Sequence, residues 1–281
     1  MKRERKGFTV VELLIVLAII ALLVGILLPA LTAVKEAAKN AKQKAQFATI
    51  DMGLQAFRND QGDYPPSDGW DYAGGGALPY CGAQKLAEAL VGWDMLGFHP
   101  KSDWNWDGRT DAGLYVYDAN DPLLLDQRKG PYLDLESANV FRLGDISARY
   151  PGLYRNTGSL APDTFVLCDV FTDRTVRMPN GETVKAGAPI LYYKADVSGR
   201  QLTQIYDARD NDSLVLLKEN VDNRVQPLAD PASNYQYFYE YIRDPKVTAR
   251  PRPYRSDSYI LISAGPDGLY GTSDDVTNFG N

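Results

Sequence analysis

The sequence predicts an α+β protein: a long N-terminal α-helix, its first half able to cross a membrane, packed through its second half on a mainly antiparallel β, loop-rich globular head. Three observations predict it. Residues 13–31, LLIVLAIIALLVGILLPAL, are apolar without a charge. The next stretch takes up an amphipathic helical period. All eighteen Tyr and all four Trp then fall after residue 63, among short β-branched and aromatic runs broken by Gly and Pro.

The chain opens on a basic leader, residues 1–7, in which Lys2, Arg3, Arg5 and Lys6 against Glu4 give +3. A positive flank beside an apolar run stays cytoplasmic, so the chain beyond the run lies outside. Residues 8–31 form the membrane segment, about 24 residues or roughly 36 Å of helix, enough to span a bilayer. A secretory signal peptide fits the same charge and apolarity. A cut is conceivable within residues 32–38, yet the helical pattern runs through them unbroken. A plain single-pass anchor also fits. Glu12 upsets that reading, because a carboxylate in hydrocarbon costs about 2.5–3.5 kcal/mol and usually has a partner. Near the interface it can also snorkel.

Residues 32–59 continue the helix with a changed pattern. Val34, Ala38, Ala41, Ala45, Ala48 and Met52 recur at steps of four and three, and this stripe is read as core. Phe47, Ile50, Leu54 and Phe57 add an adjoining stripe. Lys35, Lys39, Lys42, Lys44 and Asp51 lie largely on other faces. Pro29 and Gly25 mark a weak point upstream. The run Asn59-Asp60-Gln61-Gly62-Asp63-Tyr64-Pro65-Pro66 is a strong stop.

Residues 60–281 form the head. Strands are expected at 164–170, 189–194, 235–242 and 258–263, and a hairpin over 176–184 turning at Asn180-Gly181. Residues 83–91 read as a short helix. Seventeen Pro and twenty-four Gly suit a loop-rich head. No internal repeat and no long flexible linker is evident.

Composition removes several function classes. A net charge of -6 lacks the basic footprint of a nucleic-acid binder. A single His, His99, excludes two-His zinc motifs and has no evident catalytic partner pattern, so it reads as a loop residue. Two Cys cannot build a four-Cys zinc site; whether Cys81 and Cys168 pair outside the cytoplasm is open. No P-loop, G-x-G-x-x-G or G-x-S-x-G occurs.

Two stretches are rich in oxygen ligands. In residues 263–278, Asp267, Asp274 and Asp275 sit on a Gly-rich turn after a predicted strand. Such a set suits Ca²⁺, and equally a solvated acidic turn. Asp103-Trp104-Asn105-Trp106-Asp107-Gly108-Arg109-Thr110-Asp111 imitates the start of an EF-hand loop, with Leu114 where the bidentate acid belongs. A second calcium site and an Asx-rich surface turn both remain open there. Trp70, Trp93, Trp104 and Trp106 read as packing groups, since aromatics are the main apolar mass of this head, with a binding face as the alternative.

Gly7-Phe8-Thr9-Val10-Val11-Glu12-Leu13-Leu14 resembles the class III signal of type IV pilins and pseudopilins. The resemblance implies that a prepilin peptidase cuts between Gly7 and Phe8, that Phe8 is N-methylated, and that the apolar helix is kept. It gives Glu12 a partner, the new amine of Phe8 on a neighbouring subunit. Residues 263–278 are similar to the C-terminal calcium loop of the major pseudopilin of type II secretion systems. That match implies a structural Ca²⁺ held by Asp267, Asp274 and Asp275, with backbone carbonyls near Ala264 and Leu269. Residues 60–65, 130–133 and 187–193 look like pieces of the same family. The chain departs from it in length, with extra material around residues 67–128, 134–186 and 196–255.

Together these features read as a structural subunit and not an enzyme. It is single-pass in the inner membrane with a periplasmic head, and polymerises with copies of itself and other pseudopilins. The partners implied are the prepilin peptidase, an inner-membrane assembly platform and membrane lipid, with no nucleic acid. The rivals are a type IV pilus subunit or low-copy minor pilin for adhesion, motility or DNA uptake with a client-binding head. A tethered hydrolase would need a site that no motif here identifies.

Overall fold

A computed structural model describes residues 9–68, 78–136, 138–147, 163–171, 174–177, 181–215, 226–228 and 235–280. The chain divides into two compact units between Lys42 and Gln43. The first unit is helical from Val10 onward, being the opening part of helix α1 (Val10–Gln61). Its described residues are exposed, save the partly covered Lys39. The helix continues through Gly25 and Pro29, and the Thr32 hydroxyl donates to the Leu28 carbonyl at 3.1 Å.

The second unit contains the rest of α1 and the head. α1 ends where the stop signal falls: Gly62 takes φ +89°, and its N–H closes on the Arg58 carbonyl at 2.8 Å. That is the left-handed C-terminal position glycine occupies without steric penalty. The buried face of α1 is the Phe47, Ile50, Leu54 and Phe57 stripe. This corrects the sequence expectation, which placed the Val34–Met52 stripe in the core. Ala45, Ala48 and Met52 are exposed, Met52 by 65%. Large aromatic and branched side chains remove far more apolar area from water than alanines do, so they win the core-facing side.

The remaining elements come in this order: α2 (Gly82–Val91), α3 (Pro122–Leu125), β1 (Val140–Arg142), α4 (Leu143–Ser147), β2 (Phe165–Leu167), β3 (Arg174–Arg177), β4 (Thr183–Ala186) and β5 (Leu191–Lys194). Then come α5 (Leu202–Ile205), a 3₁₀ turn (Ala208–Asn211), α6 (Asp212–Val215), α7 (Gln236–Tyr241), β6 (Tyr259–Ser263) and β7 (Val276–Thr277). The sheets are small and antiparallel: β1 with β2, β3 with β4, and β5-β6-β7.

Strand β6 organises the head. It is buried along its whole length, and successive side chains point to opposite faces. Ile260 and Ile262 join Leu191, Tyr193, Phe238 and Tyr270 in one cluster. Tyr259 and Leu261 join Tyr192, Phe47, Ile50 and Leu54 in the other. Polar groups fix α1 beside it. Gln46 donates to the Cys168 carbonyl at 2.9 Å, Gln43 accepts from Val170 N at 3.0 Å, and the Tyr259 hydroxyl donates to Asp51 at 2.6 Å.

Two local expectations need correction. Where a strand is expected over 235–242, Gln236–Tyr241 form helix α7. Their aromatic content signals β-propensity, but Tyr235, Phe238, Tyr239 and Ile242 recur at helical spacing and pack on one cluster. In the β3–β4 hairpin Arg177 pairs with Thr183, which leaves residues 178–182 as the connection. That is longer than a two-residue turn on Asn180-Gly181. Gly181 has φ +85°, and Asn180 lies outside the described residues.

Among the carboxylates that the head buries on hydroxyl donors are Glu88 and Asp210. Glu88 of α2 accepts from Tyr80 (2.8 Å), Tyr117 (2.7 Å) and Ser102 (2.5 Å), and burial pushes its pKa up. Asp210 accepts from Ser67 at 2.5 Å, and burial raises it to about 7. A carboxyl whose folded pKa lies above its unfolded value contributes nothing adverse while protonated in both states, and destabilises once ionised. Stability is therefore predicted to fall as pH rises from about 4 to about 7. Thermal unfolding across that window checks this: Asp210→Asn should flatten the dependence, and an unchanged slope would contradict the assignment.

Candidate functional site

The N-terminal site begins at Thr9, since Gly7 and Phe8 lie outside the described residues. Thr9-Val10-Val11-Glu12 closes a capping box at the start of α1. The Thr9 N–H and hydroxyl donate to Glu12 Oε2 at 2.9 and 2.8 Å, and the Glu12 N–H returns to Thr9 Oγ1 at 3.2 Å. The T-x-x-E spacing announces this arrangement in the sequence, but Glu12 stands out there by its charge, and Thr9 goes unread. The box holds the carboxylate in one orientation at the head of an apolar helix. Both Thr9 bonds fall on Oε2.

The second site is the β6–β7 connection, residues 264–275, closed by the pairing of Ser263 with Val276. Gly265 has φ +62°, and a Cβ there would stand 2.3 Å from the Asp274 carbonyl oxygen, so the loop folds this closely only on glycine. Leu269 and Tyr270 are buried and anchor its middle. Helix α7 grips it from the side: the Tyr237 hydroxyl donates to the Gly271 carbonyl at 2.6 Å and the Tyr241 hydroxyl to Asp275 Oδ2 at 2.8 Å. These tyrosines are absent from the sequence expectation because residues 235–242 read there as a strand.

The loop's acids accept from its own backbone. Asp274 Oδ2 accepts from Asp267 N at 3.0 Å, and Asp267 Oδ1 from Leu269 N at 2.8 Å. Asp275 Oδ2 accepts from Gly271 N at 2.7 Å. Burial raises the Asp275 pKa to about 7, against the pull of those donors. Three acceptors gather on one donor. Asp274 Oδ1, Asp275 Oδ1 (3.3 Å) and the Leu269 carbonyl (3.4 Å) all face the Thr272 hydroxyl, which has a single hydrogen. Asp274 and Asp275 thus converge, with Leu269 O beside them, while Asp267 turns to the loop backbone. Ala264 is fully buried at the loop entrance. Among the described residues, no three His, Cys, Asp or Glu side chains gather closely enough to hold a metal by themselves. An excess of oxygen acceptors over donors, part side chain and part carbonyl, nonetheless fits a hard cation such as Ca²⁺.

The other sequence candidates are placed as follows. Residues 103–111 close on themselves: Asp103 accepts from Asp111 N at 2.8 Å, and Asn105 donates to the Arg109 carbonyl at 2.9 Å and to Asp111 at 3.1 Å. Trp104 stacks on Phe98 at 4.9 Å, and Trp93 packs on Tyr115 and Tyr117 at 6.0 and 6.2 Å. Trp70 lies outside the described residues. Cys81 and Cys168 are buried thiols, not a disulfide. His99 is fully buried, its Nδ1 accepting from Lys101 N at 3.2 Å.

Residues 2–28 match the family model described as the prokaryotic N-terminal methylation motif. No curated protein and no solved structure matches the chain. The motif, followed by a helix long and apolar enough to cross a membrane, supports a type IV pilin-like protein anchored through that helix. It also implies processing by a prepilin peptidase and assembly into pilin-like polymers.

Proposed function

We propose that the chain is a pseudopilin, a structural subunit of a periplasmic pseudopilus that serves type II protein secretion. The observation that carries this reading is the methylation motif at residues 2–28 together with the apolar stretch 8–31, whose one charge is Glu12. Cleavage between Gly7 and Phe8 removes the basic leader and creates an amine four residues ahead of Glu12. Thr9 occupies Oε2, so Oε1 is the oxygen offered to the N-methylated Phe8 amine of a neighbour. In hydrocarbon two such charges gain strongly by meeting, because little water screens them. That selects one register among greasy helices that otherwise slide.

The exposed alanine stripe of α1 suits the same role. Ala38, Ala41, Ala45 and Ala48 leave one strip of small side chains between the lysines, where neighbouring helices can approach closely. Other pseudopilins and an inner-membrane platform are the partners, the head stands in the periplasm, and the subunit itself performs no catalysis. The convergence of Asp274 and Asp275 beside the Leu269 carbonyl is what favours a bound Ca²⁺ ion, with Asp267 and the Ala264 carbonyl completing the set that the family resemblance implies, and such an ion would favour the secretion assignment. The ion would offset the paired Asp274 and Asp275 charges and turn binding energy into folding energy for a loop with a small core of its own. A low-copy type IV pilus subunit with a client-binding head is the second reading. It is favoured by the enlarged head, where Leu96, Leu114 and Leu123 are 50%, 56% and 74% exposed.

Glu12→Ala in the full chain, produced with a prepilin peptidase and assembly platform, should leave membrane insertion intact and cut the yield of sheared filaments at least about tenfold, a loss of about 1.4 kcal/mol or more in assembly. Parent-level filaments from this variant would contradict the role given to Glu12. For the loop, saturating Ca²⁺ should raise the melting temperature of the detergent-solubilised chain by about 5 °C or more. Asp274→Ala should abolish that rise. A chain indifferent to Ca²⁺ would remove the preference for secretion and leave the pilin-like assembly standing.

A further inference from the structure

Residues 32–42 of α1 form a segment without a home. Lys35, Glu36, Lys39 and Lys42 make it too charged for hydrocarbon. All of it is exposed apart from the partly covered Lys39. Lys35, Lys39 and Lys42 stand at i, i+4 and i+7, a single row on a helix. Val34 lies next to the row and is 64% exposed. Among the described residues none of these three lysines has an acidic partner within ion-pair distance.

The head carries a surface of the opposite sign. A cleft of about 540 Å³ is lined by side chains drawn from the segment after α1, from the end of β5 and the turn that follows it, from α5 and the 3₁₀ turn, and from just ahead of β6. Six aspartates face it against one lysine. Lys194 takes Asp63 at 2.6 Å, Lys85 takes Asp68 at 3.1 Å and Arg209 takes Asp207 at 2.5 Å. Asp210 is buried beneath, on Ser67. Asp196 and Asp257 remain, both exposed and neither in an ion pair among the described residues. Val197, 74% exposed, lies beside Asp196.

We propose that this cleft receives the basic row of a second copy of the same chain, with Lys35, Lys39 and Lys42 meeting Asp196 and Asp257 at its mouth and Val34 covering Val197. The proposal rests on the filament reading above. Every copy carries one row and one cleft, so the contact is heterologous: each subunit gives one surface and takes the other, and the chain of contacts need not close. That is the symmetry an open filament requires. Anionic lipid headgroups would satisfy the lysines but not the aspartates, whereas a second copy satisfies both. Exposed ion pairs are individually weak, so this contact sets register while the apolar helices drive association.

The test uses the full chain with its peptidase and assembly platform, read as sheared-filament yield. Asp196→Lys with Asp257→Lys should lower the yield at least tenfold, and adding Lys35→Asp with Lys39→Asp in the same chain should restore it. Parent-level yield from the cleft variant overturns the proposal. So does a loss that the swap fails to restore while the melting temperature stays at the parent value; binding of the parent, but not of Lys35→Asp with Lys39→Asp, to phosphatidylglycerol vesicles then identifies lipid as the occupant of the row. If the cleft variant melts early, Lys39→Cys with Asp257→Cys decides. An oxidative ladder that needs both cysteines supports the contact, and its absence overturns it. A parent chain that is processed yet forms no filament refutes the filament reading itself, a result distinct from any of these.

Discussion

The apolar opening of α1 is a helix made almost wholly of large hydrophobic side chains. From Val10 to Leu31 the large hydrophobic residues are exposed by 44% or more, and burial of such surface is the main force that folds proteins. A soluble monomer does not tolerate a helix of this kind, so it must lie in lipid or against other helices. The rest of the molecule is consistent with that demand. The leader places positive charge on one flank, Thr9 caps the first turn, and Glu12 puts one oriented carboxylate where a partner is needed. Past Pro29 the helix turns charged, and from Gln43 its aromatic stripe enters the head.

Within the head, cohesion depends on β6 and on tyrosine. A five-residue strand buried on both faces separates two apolar clusters, so its loss would open both. Tyrosine rings fill those clusters while their hydroxyls tie distant segments together. Tyr192 donates to the Pro65 carbonyl at 2.7 Å, Tyr259 to Asp51 at 2.6 Å, and Tyr237 and Tyr241 to the β6–β7 loop. Each ring supplies buried area and satisfies a polar atom in the same step. This explains how a head with small sheets and many loops holds together, and why its aromatic content is Tyr-rich.

The parts legible from sequence were those with strong local signals. The apolar run, the glycine and proline stop after α1, the short helix at 82–91 and the strands at 191–194 and 259–263 all announce themselves by period or by breakers. What escaped was decided over distance. The choice between the alanine stripe and the Phe47–Phe57 stripe depends on what the head offers to bury. Gln43 and Gln46 matter because strand β2 ends beside them. Helix α7 was hidden by aromatic β-propensity, although its helical spacing was present. Thr9 was legible through T-x-x-E, but charge drew attention to Glu12 alone. The loop acids were legible as a set; that Asp274 and Asp275 converge while Asp267 turns to backbone required the fold.

The central claim is that the apolar helix is retained after the leader is removed. Intact-mass spectrometry of the chain recovered from membranes, after co-production with a prepilin peptidase, tests it most directly. The account predicts a mature chain that begins at Phe8, lacks residues 1–7 and carries one added methyl group. A chain cut beyond the apolar run, or one that keeps its leader in the presence of active peptidase, would contradict it.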